Sequence, residues 1–137
     1  IRYVNREMID KFDVFVLSYW CNHATADDDT IALLEHMEGK KIIIIGTLGA
    51  ARESAHAQKV CENVENLVRA HNTLVGHYLC RGSIDLARTA RRLRIPEGEK
   101  GHLSPERFEK QKESLGHPNA EELAQCQAEV KEFLKAL

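Results

Sequence analysis

Side chains capable of chemistry gather in two short stretches of this 137-residue chain. The first, Ser18-Tyr19-Trp20-Cys21-Asn22-His23-Ala24-Thr25-Ala26-Asp27, brings together two aromatics, a thiol, a carboxamide and an imidazole. The second, Gly46-Thr47-Leu48-Gly49-Ala50, is small and polar, and core packing requires no such pair of small positions there. A buried strand that opens through a Gly/Thr turn into a helix is how doubly wound α/β proteins make ligand sites, beyond the carboxyl ends of their strands. This pattern supplies an address for a ligand without naming it. Metal and nucleophile chemistry fit less well. Cys21-x-His23 and His77-x-x-Cys80 are tens of residues apart and lack the C-x-x-C spacing of structural zinc sites. Cys21 and His23, two residues apart in a loop, are poorly aligned as nucleophile and base. His56, His102 and His117 have no partner that spacing identifies.

The elements that must position these residues are legible from the apolar runs. Residues 41–45 (KIIII) are β-branched and too short for a packed helix, so they read as a strand buried on both faces at the centre of a parallel sheet. Residues 13–18 (DVFVLS) form a second buried strand, with Tyr19 and Trp20 at its carboxyl end, and residues 73–80 (TLVGHYLC) a third. The abrupt apolar start at residues 1–4 reads as the end of another strand, and residues 5–11 as a polar turn. Residues 21–26 read as a loop. Thr25 and Asp28 have capping-box spacing, the acidic triplet 27–29 suits a first helical turn, and Gly39 ends that helix.

After the Ile run, a helix beginning near Glu53 carries Ala57, Val60, Cys61, Val64, Leu67 and Val68 on one face. Ser83 is placed to cap a further helix, and Ser104-Pro105 and Asn119 with Glu122 mark two more helix starts. The last helix is expected to bury Leu123, Val130, Phe133, Leu134 and Leu137. Strands alternating with helices imply a single α/β domain with a parallel sheet and right-handed crossovers, helical in its C-terminal third.

Composition limits the functional class. Hydrophobic content of 43% and charged content of 29% suit a globular protein, and a formal charge of −2 gives no global case for nucleic acid. No apolar run approaches the ~20 residues that span a bilayer, and no signal peptide opens the chain. Four scattered cysteines read as reduced thiols of a cytoplasmic protein. The run Arg88, Arg91, Arg92 and Arg94 reads first as a solvated helix face, with contact to a nucleic acid or an anionic partner as the alternative. A phospho-acceptor receiver domain would need Asp at the end of the middle strand and Lys after the last. Ser18-Tyr19 and Arg81 stand there instead.

A strand ending in Trp and followed by T-A-D and a helix, then I-I-I-G-T-L-G-A, S-x-H-A and another helix, resembles the flavodoxin-like family. The turn 80–85 (CRGSID), the loop leading to Leu103-Ser104-Pro105 and the break Gly116-His117-Pro118 fit as well, so the resemblance covers nearly the whole chain. It implies a five-stranded parallel sheet in the order 2-1-3-4-5 that binds FMN at three loops. By position, Tyr19, Trp20, Cys21 and Asn22 would form one loop flanking the flavin, with Trp20 stacking on the ring. Thr47, Leu48, Gly49 and Ala50 would form the other, offering backbone donors to the pyrimidine edge. A flat, electron-rich ring needs an apolar face, while backbone amides tune which redox state is held.

The resemblance also implies an electron carrier between a reductase and an acceptor enzyme, with no nucleic-acid or membrane partner. One part of the pattern is missing. The chain has no T-x-T-G-N-T-like phosphate loop, so the family's first strand, phosphate loop and first helix, about one βα unit, are expected to be absent from it. Two alternatives therefore stand beside the carrier: a flavodoxin-derived interaction module that no longer binds flavin, and a small FMN-dependent reductase.

Overall fold

The computed structural model describes residues 5–137. The strand end expected at residues 1–4 lies outside the described residues. The isoleucine run forms strand β3 (Lys41–Leu48), in which Ile42, Ile43 and Ile44 have no exposed surface. Strands β1 (Val14–Asn22) and β4 (Thr73–Arg81) flank it, both parallel to it. The two-residue strand β2 (Thr25–Ala26) pairs antiparallel with the end of β1, giving the order β2-β1-β3-β4. The three apolar runs are thus parallel neighbours with the isoleucines in the middle, as their β-branched composition requires.

Two crossover helices, α2 (Asp28–Glu35) and α3 (Ala55–Arg69), cover one face of the sheet. On α3 the expected stripe is realised: Ala57, Val60, Val64 and Val68 are buried against Tyr19, Ile42, Ile44 and Leu79. Helix α3 begins at Ala55, with Ser54 Oγ accepting the Ala57 amide hydrogen at 3.1 Å.

The opposite face is covered by α6 (Ala120–Lys135), which starts in the capping box anticipated at Asn119 and Glu122. Gly76 on β4 makes room for the Phe133 ring, which occupies the space a Cβ there would need. Tyr78, fully buried on the same face, donates its hydroxyl to the Glu122 carbonyl at 2.8 Å, and the Arg52 guanidinium lies 4.8 Å from its ring centroid.

Two burial expectations need correction on this face. Val130 and Phe133 are only half-buried, and Leu123, Leu134 and Leu137 are exposed. Likewise β1 is buried on one face only, because Val14, Val16 and Trp20 on its other face are exposed. The cause is placement: α6 lies over β4 and β3, and no described element lies over β1 on that side. An apolar groove of about 760 Å³ remains between Ile45 and the Leu123, Ala124 and Val130 side of α6.

Smaller departures have local causes. Residues expected as a polar turn form helix α1 (Arg6–Lys11), because Asn5 caps it through a 2.9 Å bond from the Met8 amide and Ile9 is buried. Helix α2 stops at Glu35, and Gly39, at φ +68°, instead shapes the turn into β3. Asp85, not Ser83, caps α4 (Leu86–Ala90), which runs into a 3-10 turn at Arg91–Arg94. The Ser83 hydroxyl instead donates to the His117 carbonyl at 2.9 Å, behind the short helix α5 (Pro105–Gln111) and its 3-10 extension Lys112–Ser114. No described helix is long and apolar enough to cross a membrane.

A polar chain threads the helical face of the sheet. Tyr19 on β1 lies across Gly46 of β3, where a Cβ would collide with its ring, and its hydroxyl meets His77 Nε2 on β4 at 2.8 Å. His77 Nδ1 lies 3.2 Å from Glu65 of α3, which also pairs with Arg69 at 3.0 Å. A neutral imidazole with its proton on Nδ1 satisfies both contacts, donating to Glu65 and accepting from Tyr19. Burial lowers the His77 pKa, outweighing the opposing pull of Glu65, and it raises that of Tyr19.

A neutral, buried His77 makes stability depend on pH. In the unfolded chain this histidine takes up a proton near its ordinary value of ~6.5, whereas the folded chain does so only at lower pH. Its contribution is therefore fully present above about pH 6.5 and lost as pH falls from there through the folded value. Urea unfolding at pH 5, 6, 7 and 8 should show this loss in the native sequence, and His77→Gln should flatten it. An unchanged slope in the variant refutes the assignment.

Candidate functional site

Alternation along β1 decides what reaches the strand ends. Tyr19 points into the helical face, 5% exposed, so its neighbour Trp20 must emerge on the other face, where it is 52% exposed. The chain then turns back through His23 and Ala24, at φ +48° and +62°, and Asn22 pairs with Thr25. This is the two-residue hairpin geometry in which both central residues need positive φ. The segment expected as a loop is therefore a hairpin. Neither turn residue is Gly or Asn, which is why sequence pattern did not reveal it.

Two contacts hold the hairpin in place. Asp27 is the N-cap of α2: Oδ1 accepts the Thr30 amide at 3.1 Å and Oδ2 the Thr30 hydroxyl at 2.9 Å. The same Oδ2 accepts the Trp20 backbone N–H at 3.2 Å, tying the aromatic position to the helix start. Thr25, expected to cap this helix, is taken up by β2 instead. From α3, Asn63 donates to the Ala24 carbonyl at 2.8 Å.

Across from the hairpin, β3 ends at Leu48 and β4 passes close by. The Gly82 amide donates to the Leu48 carbonyl at 2.7 Å, and a Cβ on Gly82 would sit 2.9 Å from Thr47 Cβ. Gly49 faces Ile84: a Cβ there would press on the Ile84 side chain. Ile84 is itself held by its backbone N–H, which donates to Ser114 Oγ at 2.9 Å.

Between these strand ends lies an open cavity of about 560 Å³. Trp20, Cys21, Asn22 and His23 form one wall and Thr47, Leu48 and Gly49 the floor. Gly82, Ser83, Ile84 and Asp85, followed by Arg88, Thr89 and Arg92, form the far wall. Six of the eight residues assigned to the site from sequence thus share one cavity. Tyr19 does not reach it, because its ring turns across Gly46 towards His77, and Ala50 packs beside the core instead of lining the cavity.

The far wall was missed. Arg88 and Arg92, read from sequence as a solvated helix face, flank the opening. Their spacing of four, just after a strand-end turn, was the available signal.

The electrostatics disfavour thiol chemistry here. Burial raises the Cys21 pKa against a smaller lowering by the Ala24 backbone bond, so Cys21 is held as a thiol. His77, paired by spacing with Cys80, is already used by Tyr19 and Glu65.

A sheet whose three long strands are parallel, wound by helices and with a cavity beyond the strand carboxyl ends, defines a doubly wound α/β domain. The chain belongs to the flavodoxin domain family, whose model matches residues 1–133. It is also similar to the flavodoxin-like domain-containing protein BilS of Clostridioides difficile (strain CD3). The two are 25% identical over 131 residues, which cover 91% of this chain and 72% of that protein.

The hairpin generates a stability prediction. Ala24 sits in a left-handed conformation that costs an L-residue on the order of 1 kcal/mol, whereas glycine adopts it freely. Ala24→Gly should raise unfolding stability by up to about 1 kcal/mol in denaturant titrations. Asp27→Ala should lower it by about 1–2 kcal/mol through loss of the cap and shift Trp20 emission, because the Trp20 amide loses its acceptor. A neutral result for both variants would show that the hairpin geometry is not set in this way.

Proposed function

We propose that this protein is an electron-transfer flavoprotein that takes the isoalloxazine ring of FMN in the strand-end cavity. The observation that carries this reading is the cavity itself: Trp20 stands half-exposed on one wall, beside its strand partner Thr47 and the small residue Gly49 on the floor. An indole plate beside small residues suits a flat ring, and the volume lies within the usual range for cofactor sites. Membership of the flavodoxin domain family supports FMN as the ring's source.

Bound FMN supplies the electron-accepting and electron-donating chemistry. The chain's own work is to hold the ring. Trp20 covers a face, the β3 end around Thr47 and Gly49 meets an edge, and Ile84 packs against Gly49 from the far wall. Because the mouth is open, the ring edge can meet a second protein, which fits a carrier between a reductase and an acceptor enzyme.

A second reading, an interaction module without flavin, is favoured by one observation. The small strand-end turn beside Trp20 does not itself open a helix, because α3 starts only after its cap at Ser54. Residues 1–137 alone are accordingly expected to bind FMN at micromolar or weaker affinity.

Titrating flavin fluorescence separates these readings. Trp20→Ala should weaken flavin binding by roughly tenfold or more, from loss of stacking on the order of 1–3 kcal/mol, and leave thermal stability nearly unchanged. Ile44→Ala should do the reverse, costing about 2–5 kcal/mol of stability by opening a cavity in a fully buried strand. If Trp20→Ala lowers the melting temperature as much as Ile44→Ala and leaves flavin affinity untouched, Trp20 is a packing residue and the carrier reading falls.

A further inference from the structure

We propose that Arg88 and Arg92 make the far wall of the strand-end cavity an oxyanion-binding site, so that its occupant presents a phosphate or carboxylate to that wall. Of the four arginines in the run, only these two line the cavity, and they are one helical turn apart. Arg91 and Arg94 do not line it, so the cavity receives a selected pair and not the whole run.

Arg92 is anchored. Its Nε donates to the Gly101 carbonyl at 2.8 Å, and its own carbonyl accepts from the amide of the buried Leu103 at 3.2 Å. That anchoring fixes the origin of the guanidinium and leaves its terminal nitrogens to meet an anion. Among the described residues, neither Arg88 nor Arg92 forms an ion pair. Asp85 is the one carboxylate in the lining, and its Oδ1 is occupied by the Arg88 backbone N–H at 3.1 Å.

Two guanidinium charges therefore stand against one carboxylate in the cavity wall of a chain whose formal charge is −2. A planar fork of donors at the mouth of a cleft matches an oxyanion in charge and geometry. The anion has two possible sources: the phosphate of the nucleotide whose ring lies on Trp20, or an acidic group on a second molecule that meets that ring. The ring belongs to the electron-carrier reading above; the anion site stands without it.

Trp20 supplies a reporter. It is the chain's one tryptophan and lines the same cavity. In the full chain at low ionic strength, quenching of its fluorescence by iodide should exceed that expected from neutral acrylamide. Inorganic phosphate should suppress the excess. In the Arg88→Gln/Arg92→Gln double variant, the iodide-to-acrylamide ratio should fall by about twofold or more. Arg88→Gln alone, which leaves the Arg92–Gly101 bond in place, should give part of that fall.

FMN and riboflavin affinities, measured on the same proteins, identify the source of the anion. If native protein prefers FMN and the double variant does not, the arginines hold the cofactor's phosphate. If the ratio falls while FMN and riboflavin bind alike, they hold an anion on a second molecule. If the ratio falls and neither flavin binds, the oxyanion site stands and the interaction-module reading is favoured over the electron carrier. A double variant that folds and keeps the native quenching ratio overturns the proposal, whatever flavin does.

Discussion

The Tyr19 ring lying across Gly46 to reach His77 is the contact on which the rest of this structure depends. It joins β1 to β4 over the top of β3, which is possible only because residue 46 has no side chain. A buried tyrosine hydroxyl and a buried imidazole each need a partner, and here each is the other's, with Glu65 completing the chain from α3. Because side chains alternate along a strand, committing Tyr19 to that face commits Phe15, Leu17 and Cys21 with it. Trp20 is thereby sent to the other side, and a one-residue slip of register would bury Trp20 and expose Tyr19. The aromatic at the candidate site owes its orientation to a contact it does not itself make.

The strand ends then inherit a rigid frame. Ile42, Ile43 and Ile44 fix the height at which β3 terminates, and the Gly82–Leu48 bond ties β4 to that point. The hairpin on the other side is held less cheaply. Two residues with Cβ atoms occupy left-handed backbone, and Asp27 holds the strand before the turn while Asn63 holds the turn itself at Ala24. Strain of this kind persists where surrounding contacts over-determine the local geometry, and such places cluster at binding sites. Its position on the cavity wall accords with that tendency.

Much of the frame was legible in the sequence because it rests on local rules. Four isoleucines can only be a buried strand, and the stripe of Ala57, Val60, Val64 and Val68 can only be a helix face. Ser104 before Pro105 and Asn119 before Glu122 carry their own capping chemistry. The misreadings share a cause: each depended on what lies opposite. Leu123 and Leu134 look like core residues, yet α6 is positioned by Phe133 over Gly76 and leaves them outside. Asn5 with Ile9 makes a short helix out of a polar stretch. His23-Ala24 turns a hairpin without the usual Gly or Asn. The family resemblance named six residues that line one cavity and named Tyr19 along with them, since proximity in sequence does not show that the Tyr19 ring turns away across Gly46.

Charge shows the same limit. A net charge of −2 describes the whole surface, whereas a ligand in the cavity meets only the groups that line it. Within the run of four arginines, helix geometry sends Arg88 and Arg92 to one wall and Arg91 and Arg94 elsewhere. Arg92 is then steadied by the loop that follows, through Gly101 and Leu103, residues that composition would assign to a solvent-exposed linker. That loop, positioned by the burial of Leu103, brings an acceptor back to the guanidinium from nine residues away. Two levels of organisation therefore meet at the cavity. Alternation along β1 delivers an aromatic plate from one side, and the loop beyond α4 holds a cation on the other, with the β3 end between them. A molecule that satisfies all three surfaces is flat, has a polar edge and carries negative charge at one end.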